Sequence, residues 1–365
     1  MKLTLASGEV FTGIPIGRPL QRSEVVVSEL VFCTGQSGYE EVLTDPSYFR
    51  QIVLMTFPLI GNTGINGHDA EHERSFLSGL VVRELEDAPS HYLCRQSLPA
   101  YLHERGIPGI SGIDTRHVTR LLRTRGTVQA ALSADDHSSA AVAADLAAAQ
   151  PRDHVAQVST REPQHHFGAG PHIAVIDYGC KRGIVRSLTA RGCAVTLFPH
   201  DATAAQILAA QPAGVVLSNG PGDPRDLPEA LPVISALQER LPLLGICLGH
   251  QLFALANRAQ TQKLHHGHRG CNRAVYEKDS GRSAIAAHNH GYAVTEASLA
   301  DTELRVTYRD LNDGCVEGLR HRRLPAFSVQ FHPEAGPGPQ DPGFLFDEFL
   351  AQLPAAKPNV EEPCR

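Results

Sequence analysis

Cys247 stands where an apolar strand pattern gives way at once to a helical one, in Gly245-Ile246-Cys247-Leu248-Gly249-His250-Gln251. A strand that turns straight into a helix around one nucleophilic side chain is a nucleophile elbow, here with sulfur in place of a serine hydroxyl. Gly245 and Gly249 permit a tight turn and close packing that a Cβ would obstruct. At a helix N-terminus the sulfur meets free N–H groups and the positive end of the helix dipole, and both favour the thiolate. The Leu248 N–H points to where an oxyanion would form during attack on a carbonyl. A lone cysteine at a strand end is usually core packing; the residues on either side favour the reactive reading.

A nucleophile of this kind needs a base, and the base needs an orienter. The strand-like Ala326–Phe331 runs directly into His332-Pro333-Glu334. Pro333 stops the strand and keeps the backbone extended, so His332 and Glu334 can lie on one side, carboxylate to imidazole. By itself such a triplet reads as a surface loop. Coupled to the elbow upstream, it completes a Cys-His-Glu arrangement. A third piece, Ser218-Asn219-Gly220-Pro221-Gly222-Asp223-Pro224, also follows a strand. Two glycines between prolines make a rigid loop with exposed N–H groups, suited to a carboxylate or to completing an oxyanion hole; the bland alternative is an ordinary βα turn.

These pieces must be held by a scaffold, and the second half of the chain supplies one. His172–Tyr178, Ala194–Phe198, Gly214–Leu217 and Leu243–Ile246 are short apolar strands. Between them Gly183–Arg191, Ala204–Ala210 and Pro228–Arg240 read as helices, and Leu248–Arg258 follows the last strand. Strands alternating with helices at this spacing predict a doubly wound parallel sheet covered on both faces. The first third is different. Leu3 and Leu5, with Val10 and Phe11 across a Ser7-Gly8 turn, predict a hairpin; Val25–Val27, Leu30–Phe32, Gln51–Phe57 and Gly79–Leu85 are further strand candidates. His117–Arg125 is a basic amphipathic helix with Asp114 or Thr115 as cap. Ala134–Gln150 reads as a surface helix, and Pro151–Pro171, polar and without periodicity, as a linker. At 365 residues the chain is long enough for two domains. The expected division is 1–150, a linker over 151–170, a second domain over 171–355 and a tail over 356–365.

With the elbow, the His-Pro-Glu triplet and the Gly-Pro loop in place, the chain resembles the class I, triad-type glutamine amidotransferases. The amino-terminal third narrows the resemblance. Gly38-Tyr39-Glu40-Glu41-Val42-Leu43-Thr44-Asp45-Pro46-Ser47-Tyr48, Gly61-Asn62-Thr63-Gly64 and Gly112-Ile113-Asp114-Thr115-Arg116 are similar to the amino-terminal domain of the carbamoyl-phosphate synthase small-subunit family. The likeness runs from about Leu3 to Leu350. It implies an α/β protein: an amino-terminal β-rich α/β domain that docks a partner and closes over glutamine, then a doubly wound class I glutamine amidotransferase domain. It implies that Cys247 attacks the glutamine side-chain amide, that a glutamyl thioester forms and is hydrolysed, and that His332 moves the protons while Glu334 orients it. Gly220, Gly222, Leu248, Gln251, Asn289, Gly291 and Tyr292 fall on the family's glutamine-binding positions, with the Leu248 and Gly222 N–H groups resembling its oxyanion hole.

The chain departs from the family pattern at Cys33-Thr34-Gly35-Gln36-Ser37-Gly38-Tyr39, where the family usually reads Asn-Thr-Ser-Met-Thr-Gly-Tyr. On that reading Gly35 stands where a serine would touch the substrate, so weaker glutamine binding is expected. Arg269 and Ala274 also replace the family's His and Pro, with no consequence assigned.

Other classes are excluded or disfavoured. A formal net charge of -6 gives no basic face for nucleic acid, and no apolar run approaches the ~20 residues of a membrane span. The start, MKLTLASGEV, lacks the apolar core of a signal peptide. The eight cysteines form no C-x-x-C pair and read as reduced thiols of a cytoplasmic protein. His265, His266, His268 and Cys271 have metal-like types, but adjacent histidines point apart and no second half-site follows, so no metal is expected on this chain. His288 and His290 read as substrate-proximal packing. There is no phosphate-binding G-x-x-x-x-G-K-[ST] loop and no dinucleotide fingerprint. The resemblance therefore places ATP and a divalent metal on a large synthetase subunit. That subunit would receive ammonia through an internal tunnel and make carbamoyl phosphate for arginine and pyrimidine biosynthesis. The alternatives are a glutaminase subunit for another synthetase, or a catalytically weak regulatory scaffold.

Overall fold

The computed structural model describes residues 1–134, 142, 146 and 152–354. The surface helix expected over Ala134–Gln150 and the tail over 356–365 lie outside the described residues, apart from isolated positions of the former. The first half contains β1 (Lys2–Leu5), β2 (Val10–Thr12), β3 (Ile14–Gly17), β4 (Val25–Cys33), β5 (Gln51–Met55), β6 (Leu59–Ile60), β7 (Gly79–Val81), β8 (Glu84–Leu85), β9 (Pro108–Ser111) and β10 (Val128–Ser133). Eight of them form one mixed sheet in the order β2-β1-β10-β4-β5-β7-β9-β3, and β6 pairs with β8 apart from it.

The β1–β2 hairpin forms as the turn chemistry requires, with Lys2 opposite Thr12. Val25–Val27 and Leu30–Phe32 are one strand: Ser28 and Glu29 stay in register with Ala130 and Gln129, so pairing carries β4 through its polar residues. Gly79–Leu85 breaks instead, its second part leaving the sheet to pair with Leu59–Ile60. The basic helix spans Thr115–Arg125, and Asp114 Oδ1 caps it by accepting from the His117 N–H at 3.0 Å.

The second half contains β11 (Gln164–His166), β12 (His172–Asp177), β13 (Ala194–Pro199), β14 (Gly214–Leu217), β15 (Leu243–Ile246), β16 (Thr261–Glu277), β17 (Ser283–Val294), β18 (Leu304–Asp310), β19 (Val316–His321) and β20 (Ala326–Val329). They form one sheet in the order β11-β13-β12-β14-β15-β20-β19-β18-β16-β17. From β13 to β20 the strands are parallel. β14 and β15 are buried throughout, as strands covered on both faces must be. One face packs Ile234 and Leu237 of the helix Ala230–Gln238 with Leu252 and Phe253 of the helix Leu248–Ala256. The other packs Ile184 and Leu188 of Arg182–Thr189 with Leu345, Phe346 and Phe349 of Phe344–Ala351. This is the doubly wound architecture, extended beyond β20 by antiparallel strands.

The segment expected as a linker is part of that body. His154–Val158 is a short helix, Gln164–His166 is an edge strand antiparallel to β13, and the Thr160 N–H donates to Asp177 Oδ2 at 2.7 Å. A three-residue edge strand exposed along its whole length carries no periodicity of burial, so its sequence looks like coil.

The two halves are stitched by polar contacts. The Thr34 N–H donates to the Arg269 carbonyl at 3.1 Å, and Lys263 pairs with Glu29 at 2.7 Å. The Gly183 N–H donates to Glu71 Oε2 at 2.8 Å. Among the described residues no helix is long and apolar enough to cross a membrane.

Candidate active site

β15 ends at Ile246 and the helix begins at Leu248, leaving Cys247 as the whole turn, with φ 54° and ψ -103°. A non-glycine residue there costs of order 1–3 kcal/mol and persists only where its surroundings fix it. Here the Cys247 N–H donates to the Val329 carbonyl of β20 at 2.9 Å, and its carbonyl accepts from the Gln251 N–H at 3.2 Å. Helix and sheet pack so closely that a Cβ on Gly249 would lie 2.3 Å from the Leu217 carbonyl oxygen. As the first residue of the helix, Leu248 has an N–H with no intrahelical acceptor.

His332 follows β20, its N–H bonded to the Ala287 carbonyl of β17 at 2.9 Å. Its Nδ1 lies 2.6 Å from Glu334 Oε1, the orienting contact expected from the triplet. Its Nε2 is buried without a hydrogen-bond partner. The Cys247 thiol donates to the Asn289 carbonyl at 3.6 Å. The nucleophile–base bond is thus unmade here; such bonds commonly tighten only when substrate is bound.

The carboxylate is anchored by a residue that sequence reasoning missed. Lys181 Nζ donates to Glu334 Oε1 at 2.9 Å and to the Ala335 carbonyl at 2.5 Å, with side-chain exposures of 2% for Lys181 and 0% for Glu334. Burial alone would hold His332 neutral, but the Glu334 carboxylate raises its pKa above the ordinary value. Burial also works against the Glu334 charge, and Lys181 and His332 together hold its pKa down. Lys181 is opposed by desolvation in turn, and Glu334, Glu71 and Asp45 outweigh it. Glu71 is pushed up by burial and tempered by Lys181.

Above the thiol opens a cleft of about 840 Å³ lined from both halves of the chain. Of the positions expected from the sequence, Gly220, Gly222, Gln251, Asn289, Gly291 and Tyr292 line it with Cys247. The Leu248 side chain lies in the core, leaving its N–H as the group that matters. A Cβ on Gly220 would lie 2.0 Å from the Tyr178 carbonyl, so the loop can pass only as glycine. Gln251 Nε2 donates to the Tyr292 carbonyl and to Gln330 Oε1, both at 2.9 Å.

Gly35 is placed elsewhere. It is buried beside Cys33, its N–H 3.5 Å from the Cys33 sulfur, and is not among the residues lining the cleft. Ser28 and Ser47 both line the cleft from the first half, and Ser47 is the one tied to Asn289, through Asp45. Asp45 Oδ1 accepts from the Ser47 N–H and Oδ2 from Asn289 Nδ2, each at 2.8 Å, while Ser47 Oγ accepts from Asn219 Nδ2 at 2.9 Å. The Asp-Pro-Ser turn was the available signal, since an aspartate there bonds the backbone two residues on.

Residues 174–352 match the glutamine amidotransferase class-I family, and residues 3–132 match the carbamoyl-phosphate synthase small chain, CPSase domain. The chain is 47% identical over 364 residues to the carbamoyl phosphate synthase small chain of Bacillus cereus, covering 100% of this chain and 99% of that one. It is 50% identical to the corresponding chain of Bacillus caldolyticus and 48% identical to that of Listeria monocytogenes, covering 96% of both chains in each case.

Proposed function

Because this chain belongs to the carbamoyl phosphate synthase small-chain family, we propose that it hydrolyses L-glutamine to glutamate and ammonia at Cys247 and passes the ammonia to a large ATP-dependent synthetase subunit, which makes carbamoyl phosphate for arginine and pyrimidine biosynthesis. The observation that carries the reading is the Cys247 elbow facing a cleft, backed by His332 held on Glu334.

The chemistry follows from the groups in place. His332 Nε2 takes the thiol proton as sulfur attacks the amide carbon, and Glu334 stabilises the imidazolium. The oxyanion is met by the N–H groups of Leu248 and Gly222. The C–N bond breaks as the imidazolium protonates the nitrogen, which leaves as ammonia with the glutamyl group on sulfur. His332 then takes a proton from water, the hydroxide attacks the thioester, and the C–S bond breaks to release glutamate. Gln251, Asn289, Gly291 and Tyr292 form the substrate wall.

Ser47 gives the test. Asn219 occupies an acceptor site of its hydroxyl, leaving the O–H free to donate into the cleft towards the substrate's α-carboxylate. A bond to a charged group contributes about 1.5–3 kcal/mol. Ser47→Ala should therefore raise KM for glutamine by roughly 10- to 150-fold with kcat nearly unchanged, since the contact acts on ground and transition states alike. Gly35→Ser should leave both constants at the parent value, because its Cβ would meet only ordinary contacts at 3.4 Å. Glutamate release measured across glutamine concentrations decides it; the reverse pattern would return the contact to Gly35.

A further inference from the structure

Behind the strand that carries Asn289 and Gly291, four ionisable side chains meet out of solvent. His268 of β16 stands in register opposite His290 of β17; His288 lies two residues before it, and Glu317 reaches in from β19. Their side-chain exposures are 4% for His268, 1% for His290, and 0% for His288 and Glu317. Glu317 Oε1 lies 3.6 Å from His268 Nδ1 and 3.7 Å from His290 Nε2, and Oε2 lies 3.2 Å from His288 Nε2.

The far nitrogens of two of these rings are already engaged. His268 Nε2 is 2.7 Å from Asp313 Oδ2, and His290 Nδ1 is 2.8 Å from the Tyr292 carbonyl. Arg273 Nη2 also stands 3.2 Å from His268 Nε2, but the Asp313 carboxylate is much the nearer partner. With acceptors as the close partners of both rings, the ring protons sit on those nitrogens. In neutral rings, His268 Nδ1 and His290 Nε2 then turn lone pairs towards a carboxylate oxygen. These three atoms are buried and none has a hydrogen-bond partner. Acceptors facing acceptors in a dry interior require positive charge between them.

The charge around the cluster has the same sign. Arg273 pairs with Asp310 at 2.7 Å and with Asp313 at 3.3 Å. Glu317 adds a third carboxylate, so with neutral imidazoles the group is short of two positive charges. Two of the spacings come close to what an ion asks for, since ligands each about 2.0–2.1 Å from a shared centre stand roughly 3.3–3.6 Å apart at tetrahedral to trigonal angles, and the three ligand atoms all lie within 4.8 Å of one another. A carboxylate behind one histidine and a backbone carbonyl behind the other is the usual outer support of metal-bound imidazole.

We propose that His268, His290 and Glu317, with His288 beside them, bind a divalent transition-metal ion of the zinc type. Two or three imidazoles with one carboxylate favour such an ion over magnesium or calcium. Enclosed by β16, β17 and β19, the ion acts structurally and pins the strand segment that presents Asn289 and Gly291 to the cleft. The sequence grouping of His265, His266, His268 and Cys271 does not form, since His265 Nε2 turns to the Thr124 carbonyl at 3.1 Å. The partners of His268 come from strands remote in sequence, which is why the reading departs from the expectation of no metal.

Cobalt binding by the chelator-stripped full chain under reducing conditions, followed by visible absorption, tests the site. One cobalt ion per chain should give ligand-field bands, displaced by one equivalent of zinc, and Cys247→Ser should bind equally. Glu317→Gln should abolish the bands. If that variant fails to fold, Asp313→Asn, which removes only the carboxylate behind His268, should weaken cobalt binding by about 10- to 100-fold. No stoichiometric cobalt in the parent protein, or bands that disappear in Cys247→Ser, or cobalt affinity unchanged in Asp313→Asn, would overturn the site and leave the cluster balanced by protons on its imidazoles.

Discussion

Cys247→Ser is expected to lower glutamine hydrolysis by about 10⁴-fold or more, the scale of removing the nucleophile from a catalytic unit. Serine fits the elbow, because the strained φ of 54° is imposed by β15, β20 and the helix that follows. What is lost is the anion: a hydroxyl at the same place is far less acidic than a thiol, and His332 cannot compensate for that difference. The fold and the cleft stay intact. In complex with a large synthetase subunit, ammonia supplied directly should therefore still drive carbamoyl phosphate formation, while glutamine should not. Cys94, Cys271 and Cys315 are partly exposed and should tolerate serine; Cys33, Cys180 and Cys193 are buried and their replacement should act on stability. Glutamate release and ammonia-driven synthesis, assayed side by side, check this. Near-parental glutamate release in Cys247→Ser would remove the thiol from the chemistry.

Lys181→Met is expected to cost about 3–5 kcal/mol of stability, the usual penalty for taking one partner from a buried ion pair. Glu334 would remain at 0% exposure with only the imidazole to balance it. Its hold on His332 would loosen, because Lys181 fixes the oxygen that His332 Nδ1 contacts. The kinetic consequence should fall on kcat, with KM for glutamine little changed, since Lys181 does not line the cleft. Denaturant unfolding should show a lower midpoint at an unchanged slope. Adding Glu334→Gln to Lys181→Met should recover part of the lost stability by removing the stranded charge, without recovering activity. An unchanged midpoint in Lys181→Met would refute the ion-pair account.

How much of the fold and the site was legible in the sequence depended on whether the signal was local. The elbow, the His-Pro-Glu triplet and the Gly-Pro loop declared themselves because strand end, turn and helix start are neighbours in the chain. The parallel strands were equally clear, being apolar runs bounded by turns. Lys181 was not, because a single lysine after Tyr178-Gly179-Cys180 carries no pattern; its partner Glu334 is remote in sequence and meets it only across the folded sheet. Ser47 stood in plain view within the motif that carries the resemblance, yet its place in the cleft depends on Asp45 reaching Asn289. Gly35 lies outside the cleft, buried with its N–H turned to the Cys33 sulfur, a placement set by the folded loop and not by any local pattern in the sequence. His268, His290 and Glu317 became a group only through the pairing of β16 with β17 and the approach of β19.

The most direct measurement is covalent labelling of the full chain with a chloroketone analogue of glutamine, followed by peptide mass mapping. A catalytic Cys247 predicts one label per chain, on that residue, with glutamine protecting and glutaminase activity lost in parallel. Label on another cysteine with activity lost, or full label on Cys247 with glutamate release undiminished, would contradict it.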